Sequence, residues 1–209
     1  MTKKRSVGRP TREQAAAIDD EILAAARDVF CRDGFSDASM NEIAERIGAS
    51  KLTLYRRFES KMGLLVAVID RNIASLRAVM DETTVAQASA LDALQQTAIR
   101  LFNFLTERDN LAFGLVIRAE SARSPLLRER CANWISIMEA PLILLIIRSQ
   151  EEGEITRHVN APTLASILSD LIDGVAERLR NESSKLDSTD LQETFETRWK
   201  VFLAYAATR

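Results

Sequence analysis

Glycine and proline are scarce in this chain, with seven and four among 209 residues. Folds made of many short strands spend such residues at every turn, so the shortage argues against a sandwich or barrel and favours long helices. Cysteine is nearly absent. Cys31 and Cys131 lie far apart in the chain and form neither a metal-ligand nor a redox spacing, so two free thiols in a reducing cytoplasm are expected. The single histidine, His158, has no Cys, His or Glu at ligand or acid–base spacing, so no metal, cofactor or catalytic role is expected for it. No phosphate loop or nucleophile elbow is present to support an enzyme. Long apolar runs are missing too. The longest, Ala140 to Ile147, is closed by Glu139 and Arg148 and is too short to span a bilayer. The basic start leads into no apolar stretch, so no signal peptide is expected. These absences predict a cytoplasmic protein with no membrane partner.

What is present is charge, unevenly placed. The chain carries 28 Lys/Arg and 30 Asp/Glu, a net −2. Its first 61 residues hold 12 of the cations against 10 acids. Lys3, Lys4, Arg5, Arg9 and Arg12 open the chain with no acid among them, and Arg46, Lys51, Arg56, Arg57 and Lys61 face Glu59 alone. A local basic patch on a mildly acidic chain is the footprint of an anionic partner.

Apolar periodicity divides the chain into about nine helices and no strands, an all-α fold. Residues 1–17 are basic and Gly/Pro-punctuated and read as a flexible arm. A first helix starts near Asp19, with Ile22, Leu23, Ala26, Val29 and Phe30 as its apolar stripe and Gly34 as its end. Ser39 opens a short second helix through the capping pattern Ser39–Glu42. Ser60 caps a fourth that runs to about Met80. From Leu91 on, helix follows helix: Leu91–Glu107, Asn110–Ser121, one from Ser124-Pro125 to about Glu152 with a kink expected at Pro141, Thr163–Asn181 and Asp190–Ala207.

Between the second and fourth helices stands SKLTLYRRF, Ser50 to Phe58. Two short helices joined by a few residues containing glycine outline a helix-turn-helix. Ala44 is the small residue needed where the helices approach. Gly48 permits the left-handed turn. Leu54 is the core contact, with Ile43, Ala49 and Phe58 on its side. Ser50, Lys51, Leu52, Thr53 and Arg57 then face outward, the face that enters the major groove in such a motif. Lys51 suits the acceptor edge of guanine, Thr53 a base, phosphate or thymine methyl, and Leu52 only an apolar contact. Tyr55 and Lys61 suit phosphates, and the helix N-termini at Ser39 and Ser60 add backbone N–H donors. With Arg56, these complete the expected DNA-contact set. Val7-Gly8-Arg9-Pro10 looks like the core of an AT-hook, with Arg9 entering a narrow minor groove; a solubilising tail is the competing reading.

The stretch from Asp20 to about Val68, and within it IGASKLTLYRRFESK, resembles the DNA-binding domain of the TetR family of bacterial transcriptional regulators. The resemblance implies a three-helix head (18–66) and a helical ligand-binding and dimerisation body (67–209). It places phosphate binding on Tyr55 and Lys61 and base reading on Lys51, Leu52 and Thr53. Leu52 is a departure, because the family often has a small residue there. The resemblance further implies a homodimer through the last two helices, here carrying Leu164, Leu168, Leu171, Ile172, Val175, Phe195, Trp199 and Phe202. In the body, Phe102, Asn103, Phe113, Val116, Ile117, Glu120, Trp134, Ile137 and Met138 are candidates to line a pocket for a small, mostly apolar effector, and Arg118 is a further polar candidate. The expected function is a ligand-responsive regulator, a repressor that binds a palindromic operator as a homodimer and is released by its effector. An all-helical enzyme or carrier and a non-specific DNA-coating protein are the competing classes, the latter marked by a specificity ratio near one.

Overall fold

The computed structural model describes residues 12–81, 89–181 and 188–207. Among the described residues there are nine helices and no strands. They fall into two compact units, residues 1–71 and 72–209, so the division lies at Arg71, inside a helix and five residues later than the expected boundary at residue 66.

The first unit holds α1 (Arg12–Asp37), α2 (Met40–Arg46), α3 (Lys51–Phe58) and the opening of α4 (Lys61–Asp81). α1 begins at Arg12, earlier than the expected Asp19, so the arm ends sooner than residue 17. Arg12 to Ala17 carries strong helix formers, and the helix extends through them although its apolar stripe starts later. Within α1, Gly34 leaves helical geometry at φ 77, ψ 166, a region essentially reserved for glycine. The core of this unit is Ile22, Ala26, Val29 and Phe30 of α1, Ile43 and Ala44 of α2, Leu54 of α3, and Leu64, Leu65, Val68 and Ile69 of α4, all buried. The tract around Arg9 lies outside the described residues.

The second unit contains the end of α4 with α5 (Ala90–Thr106), α6 (Arg108–Ser121), α7 (Pro125–Glu151), α8 (Ala161–Asn181) and α9 (Ser188–Ala206). Its core joins Leu94, Leu101 and Phe102 of α5, Leu142 and Ile146 of α7, Leu164, Leu168 and Ile172 of α8, and Phe195, Trp199 and Phe202 of α9. The aromatic series is continuous: ring centroids are 5.4 Å apart for Phe102–Phe195, 6.4 Å for Phe195–Trp199 and 5.4 Å for Trp199–Phe202. The turn after α7 closes the far end of α5. Glu152 and Glu154 accept hydrogen bonds from the amides of Ala90 (3.1 Å) and Leu91 (2.8 Å). They thereby satisfy donors that a helix start leaves open. The Thr156 amide donates to the Ala206 carbonyl at the end of α9 (2.8 Å).

α7 continues through Pro141, as expected, and by length and mean hydropathy alone it is apolar enough to cross a bilayer, a test that a core helix also passes. α7 also contributes Leu127, Met138, Leu142 and Ile146 to the buried interior, while Leu144 and Ile147 are exposed.

Candidate nucleic-acid interface

Local chemistry sets the two short helices. Ser39 caps α2, its hydroxyl accepting from the amides of Asn41 (3.3 Å) and Glu42 (3.5 Å). α2 ends in paired reverse bonds: the Ala49 amide donates to the Ala44 carbonyl (2.9 Å) and the Gly48 amide to the Glu45 carbonyl (3.1 Å). This closure needs a left-handed residue, supplied by Gly48 at φ 63. Ser50 then caps α3, accepting from the Thr53 amide (3.2 Å), and its Oγ lies 2.8 Å from the Thr53 hydroxyl. Ala44, 2% exposed, and Leu54, fully buried, occupy the contact between the helices, as their spacing predicts.

α3 is eight residues long, so successive side chains step by a fixed angle around it. Leu54 points inward, with Phe58 and Arg57 half-buried beside it. The opposite arc carries Lys51, Tyr55, Leu52, Arg56 and Thr53, of which all but the half-buried Thr53 are exposed. Leu52 stands at the centre of that arc and is 67% exposed. The Lys51 ammonium sits 5.8 Å from the centroid of the Tyr55 ring, a cation–π contact that holds both on one side of the arc.

Four sequence expectations change here. Arg57 does not stand free on the outward face; its guanidinium pairs with Asp19 of α1, because the α3 turn that buries Leu54 brings Arg57 round to α1. Arg56 takes the outward position instead. Lys61 is engaged within the unit. Its ammonium donates to the carbonyls of Ser36 (2.8 Å) and Ala38 (3.1 Å) and lies 4.9 Å from the Phe35 ring centroid. It thus covers carbonyls past the break at Gly34. Two of its three N–H donors are used in these bonds. Arg46, counted in the basic patch, pairs with Glu42 (3.2 Å), which also takes Arg32 (2.7 Å). Arg32 in turn holds the Asp33 carboxyl below its ordinary range by hydrogen bonding. Finally, the Ser50 hydroxyl is committed to the cap of α3, while Ser39 caps α2 as its pattern predicts.

The exit from α3 is tight. Glu59 has φ 60, ψ −38, and the Ser60 amide donates to the Phe58 carbonyl at 2.6 Å. That is a three-residue turn, strained for a residue with a side chain. The Ser60 hydroxyl accepts from the Gly63 amide (2.9 Å). A Cβ on Gly63 would stand 2.1 Å from the Phe58 carbonyl oxygen, so only glycine fits the start of α4. The sequence offered no signal for this, since the close approach comes from the turn and not from the helix.

The candidates in the second unit are scattered by burial. Phe102, Phe113, Val116 and Met138 are buried, while Ile117, Glu120, Trp134 and Ile137 are half-buried. Asn103 is exposed; its neighbours Leu101, Phe102 and Leu105 take the inward side of α5. Phe104 packs on Trp134 at 6.1 Å between centroids, and the Trp134 indole N–H donates to the Met138 sulfur at 3.0 Å. Arg118 pairs with Glu177 of α8. Arg180 joins the same carboxylate (3.1 Å) and lies so close to Gly114 that a Cβ there would be 2.7 Å from its Nε.

The predicted dimer surface needs a larger correction. Leu164, Leu168, Ile172, Val175, Phe195, Trp199 and Phe202 are at most 5% exposed within the single chain and form its core. Leu171 alone of that set is half-buried. These apolar positions of α8 and α9 lie on the faces that the helices turn toward their own chain.

A capped helix pair with a glycine turn, a small contact residue and an outward arc of mixed cations defines a helix-turn-helix DNA-binding domain. Comparison with known proteins agrees. A family model for bacterial regulatory proteins, the TetR family, matches residues 22–68. The chain is 28% identical over 187 residues to the HTH-type transcriptional repressor ComR of Escherichia coli, covering 87% of this chain and 86% of ComR. It is 30% identical over 105 residues to the HTH-type transcriptional activator FasR of Mycolicibacterium smegmatis, a match to half of this chain and 48% of FasR. A crystal structure assigned to the same family, from Mesorhizobium loti, superposes with a TM-score of 0.79 at 25% identity, over 95% of this chain and all of that one. The flavonoid-responsive regulator FrrA superposes with a TM-score of 0.69, also at 25% identity, over 93% of this chain and 99% of its own. Residues 22–68 thus match the DNA-binding part of the TetR family of bacterial regulatory proteins, and relatives that span most of the chain are regulators of transcription. The curated relatives named here are transcriptional regulators, one a repressor and one an activator.

Proposed function

We propose that this regulator is a repressor that binds a palindromic operator as a homodimer and leaves it when a small, mostly apolar molecule binds the second unit. The observation that carries the DNA reading is the outward arc of α3, where Lys51, Leu52, Tyr55 and Arg56 are all exposed on a helix whose other side is buried. In this reading Lys51, Leu52 and Thr53 meet base edges, while Tyr55, Arg56 and the remaining donor of Lys61 meet phosphates. One eight-residue helix spans few base pairs. Two copies reading half-sites about 34–36 Å apart give the selectivity a regulator needs.

The surface proposed for dimerisation is what the core leaves outward on α8 and α9. Ile167, Leu171 and Gly174 are half-buried on α8, and Val201 and Tyr205 are each 54% exposed on α9. Support for control by a small molecule comes from FrrA, a flavonoid-responsive relative in structure, and from the apolar cluster of Phe104, Trp134 and Met138. Linkage makes the effect reciprocal: an effector that weakens DNA binding is itself bound less tightly on DNA. ComR is a repressor and FasR an activator, so the sign of control is measured with a reporter.

The test is selection of binding sites from a random duplex library. An enriched palindrome is expected, with Lys51→Ala changing the preferred bases and Tyr55→Phe weakening all sites alike. Enrichment of no site, by protein stripped of small molecules, sinks the proposal. Repression of a reporter behind the selected site, relieved by a compound that binds the purified protein, checks the rest.

A further inference from the structure

The outward arc of α3 has an apolar centre that charge-driven DNA binding does not need. Leu52 is the second residue of the helix and is 67% exposed. Its neighbours on the arc are polar or charged: Lys51, Thr53 and Arg56. The Thr53 hydroxyl is already 2.8 Å from Ser50 Oγ, and the Lys51 ammonium lies against the Tyr55 ring. At the centre of this face, then, stands a largely exposed residue that can neither donate nor accept a hydrogen bond.

In the major groove every base pair presents donors and acceptors, and the single apolar group on offer is the thymine 5-methyl. A leucine set against any other edge removes water from a polar group and returns nothing, which is unfavourable. Set against a methyl, it buries apolar surface on both sides. The first residues of the second helix in such a motif are those that reach base edges, and Leu52 is among them.

Resting on the DNA-binding reading above, we infer that Leu52 is a specificity-determining residue that reads a thymine methyl in each half-site. Lys51 and Leu52 then divide the work. The cation selects an acceptor edge, and the leucine selects an adjacent thymine and rejects bases with no methyl in that place.

The experiment takes the site enriched by selection and replaces its thymines one at a time by deoxyuridine, which removes the methyl and keeps the pairing. Affinity is measured for the unaltered protein and for Leu52→Ala, with Lys51→Ala as the control. At one thymine per half-site the unaltered protein is expected to bind about fourfold more weakly without the methyl, the effect of one lost apolar carbon. Leu52→Ala is expected to be indifferent at that position, and Lys51→Ala to keep the sensitivity. A site whose affinity ignores every thymine methyl overturns this inference and leaves DNA binding standing. So does a sensitivity that Leu52→Ala retains in full. A selection that enriches no site overturns both. Because Leu52 is exposed, its truncation leaves the fold intact, and the deoxyuridine series needs no variant at all.

Discussion

The two units use the same raw material in different ways. In the first, four helices are joined by turns held by directed contacts: Ser39 and Ser50 cap helices, Gly48 makes a left-handed closure, Lys61 takes two carbonyls and Arg57 pairs with Asp19. What stays outward is a short arc on α3. In the second, longer helices bury a wide aliphatic and aromatic interior, and individual positions matter mainly for volume. The difference teaches where specificity resides. A precise face needs a rigid small frame held by hydrogen bonds, whereas a larger apolar interior is held by less directional packing.

The largest expected effects test whether the cores are placed correctly. Phe195→Ala should cost about 3–5 kcal/mol, measured by urea denaturation, and the loss should be the same at low and high protein concentration, because the ring packs within its own chain. Dependence on concentration would return Phe195 to a subunit interface. Paired charges at Val201 and Tyr205, as Val201→Glu with Tyr205→Glu, should instead leave each chain folded and convert a dimer to a monomer in light scattering.

Glycines sharpen the comparison, because the same change should have opposite signs in the two units. Gly63→Ala forces a Cβ against the Phe58 carbonyl and should cost about 1–3 kcal/mol, as overpacking does. Gly174→Ala, inside α8 with nothing of its own chain within 4 Å of the added carbon, should stabilise the folded chain by about 0.5–1 kcal/mol. Because Gly174 belongs to the surface proposed for dimerisation, weaker self-association of the same variant would place the second chain against that carbon. Next in size, Ser50→Ala should lower stability by about 1 kcal/mol through the lost cap and release the Thr53 hydroxyl, with thermal unfolding as the readout.

The smallest effect is one of pH. Hydrogen bonds from Arg148 and from the Ala90 amide hold the Glu152 carboxyl below its ordinary value of 4.5. A carboxyl depressed on folding contributes stability that is fully present above its unfolded value and is lost as pH falls through the folded one. Glu152→Gln should therefore flatten the acid limb of the stability profile below about pH 4.5, and an unchanged limb would mean that the ion pair is solvated away.

Much of the first unit was legible in the residues. Caps, a glycine at the turn and a small residue at the helix crossing are local requirements, and local requirements leave local signatures. The position of Arg57 was not legible. Helical spacing put it near the edge of the outward face, and only the packing of Leu54 against α2 turned it toward Asp19. Lys61 was misjudged for a related reason: the carbonyls it covers come from residues 36 and 38, and nothing in the local pattern links them. In the second unit the helices were read to within a few residues at their ends, yet an apolar stripe looks the same whether its partner is its own chain or another.

The sequence by itself determined an all-helical chain and the helix-turn-helix with its glycine turn and its first cap, since each follows from periodicity, capping chemistry or the left-handed freedom of glycine. Only the tertiary structure decided which cations remain outward, that Phe195, Trp199 and Phe202 close a core within one chain, and that Gly63 has no substitute. Those outcomes depend on contacts between residues distant in sequence, and such contacts are set by how the helices pack, which no single segment encodes.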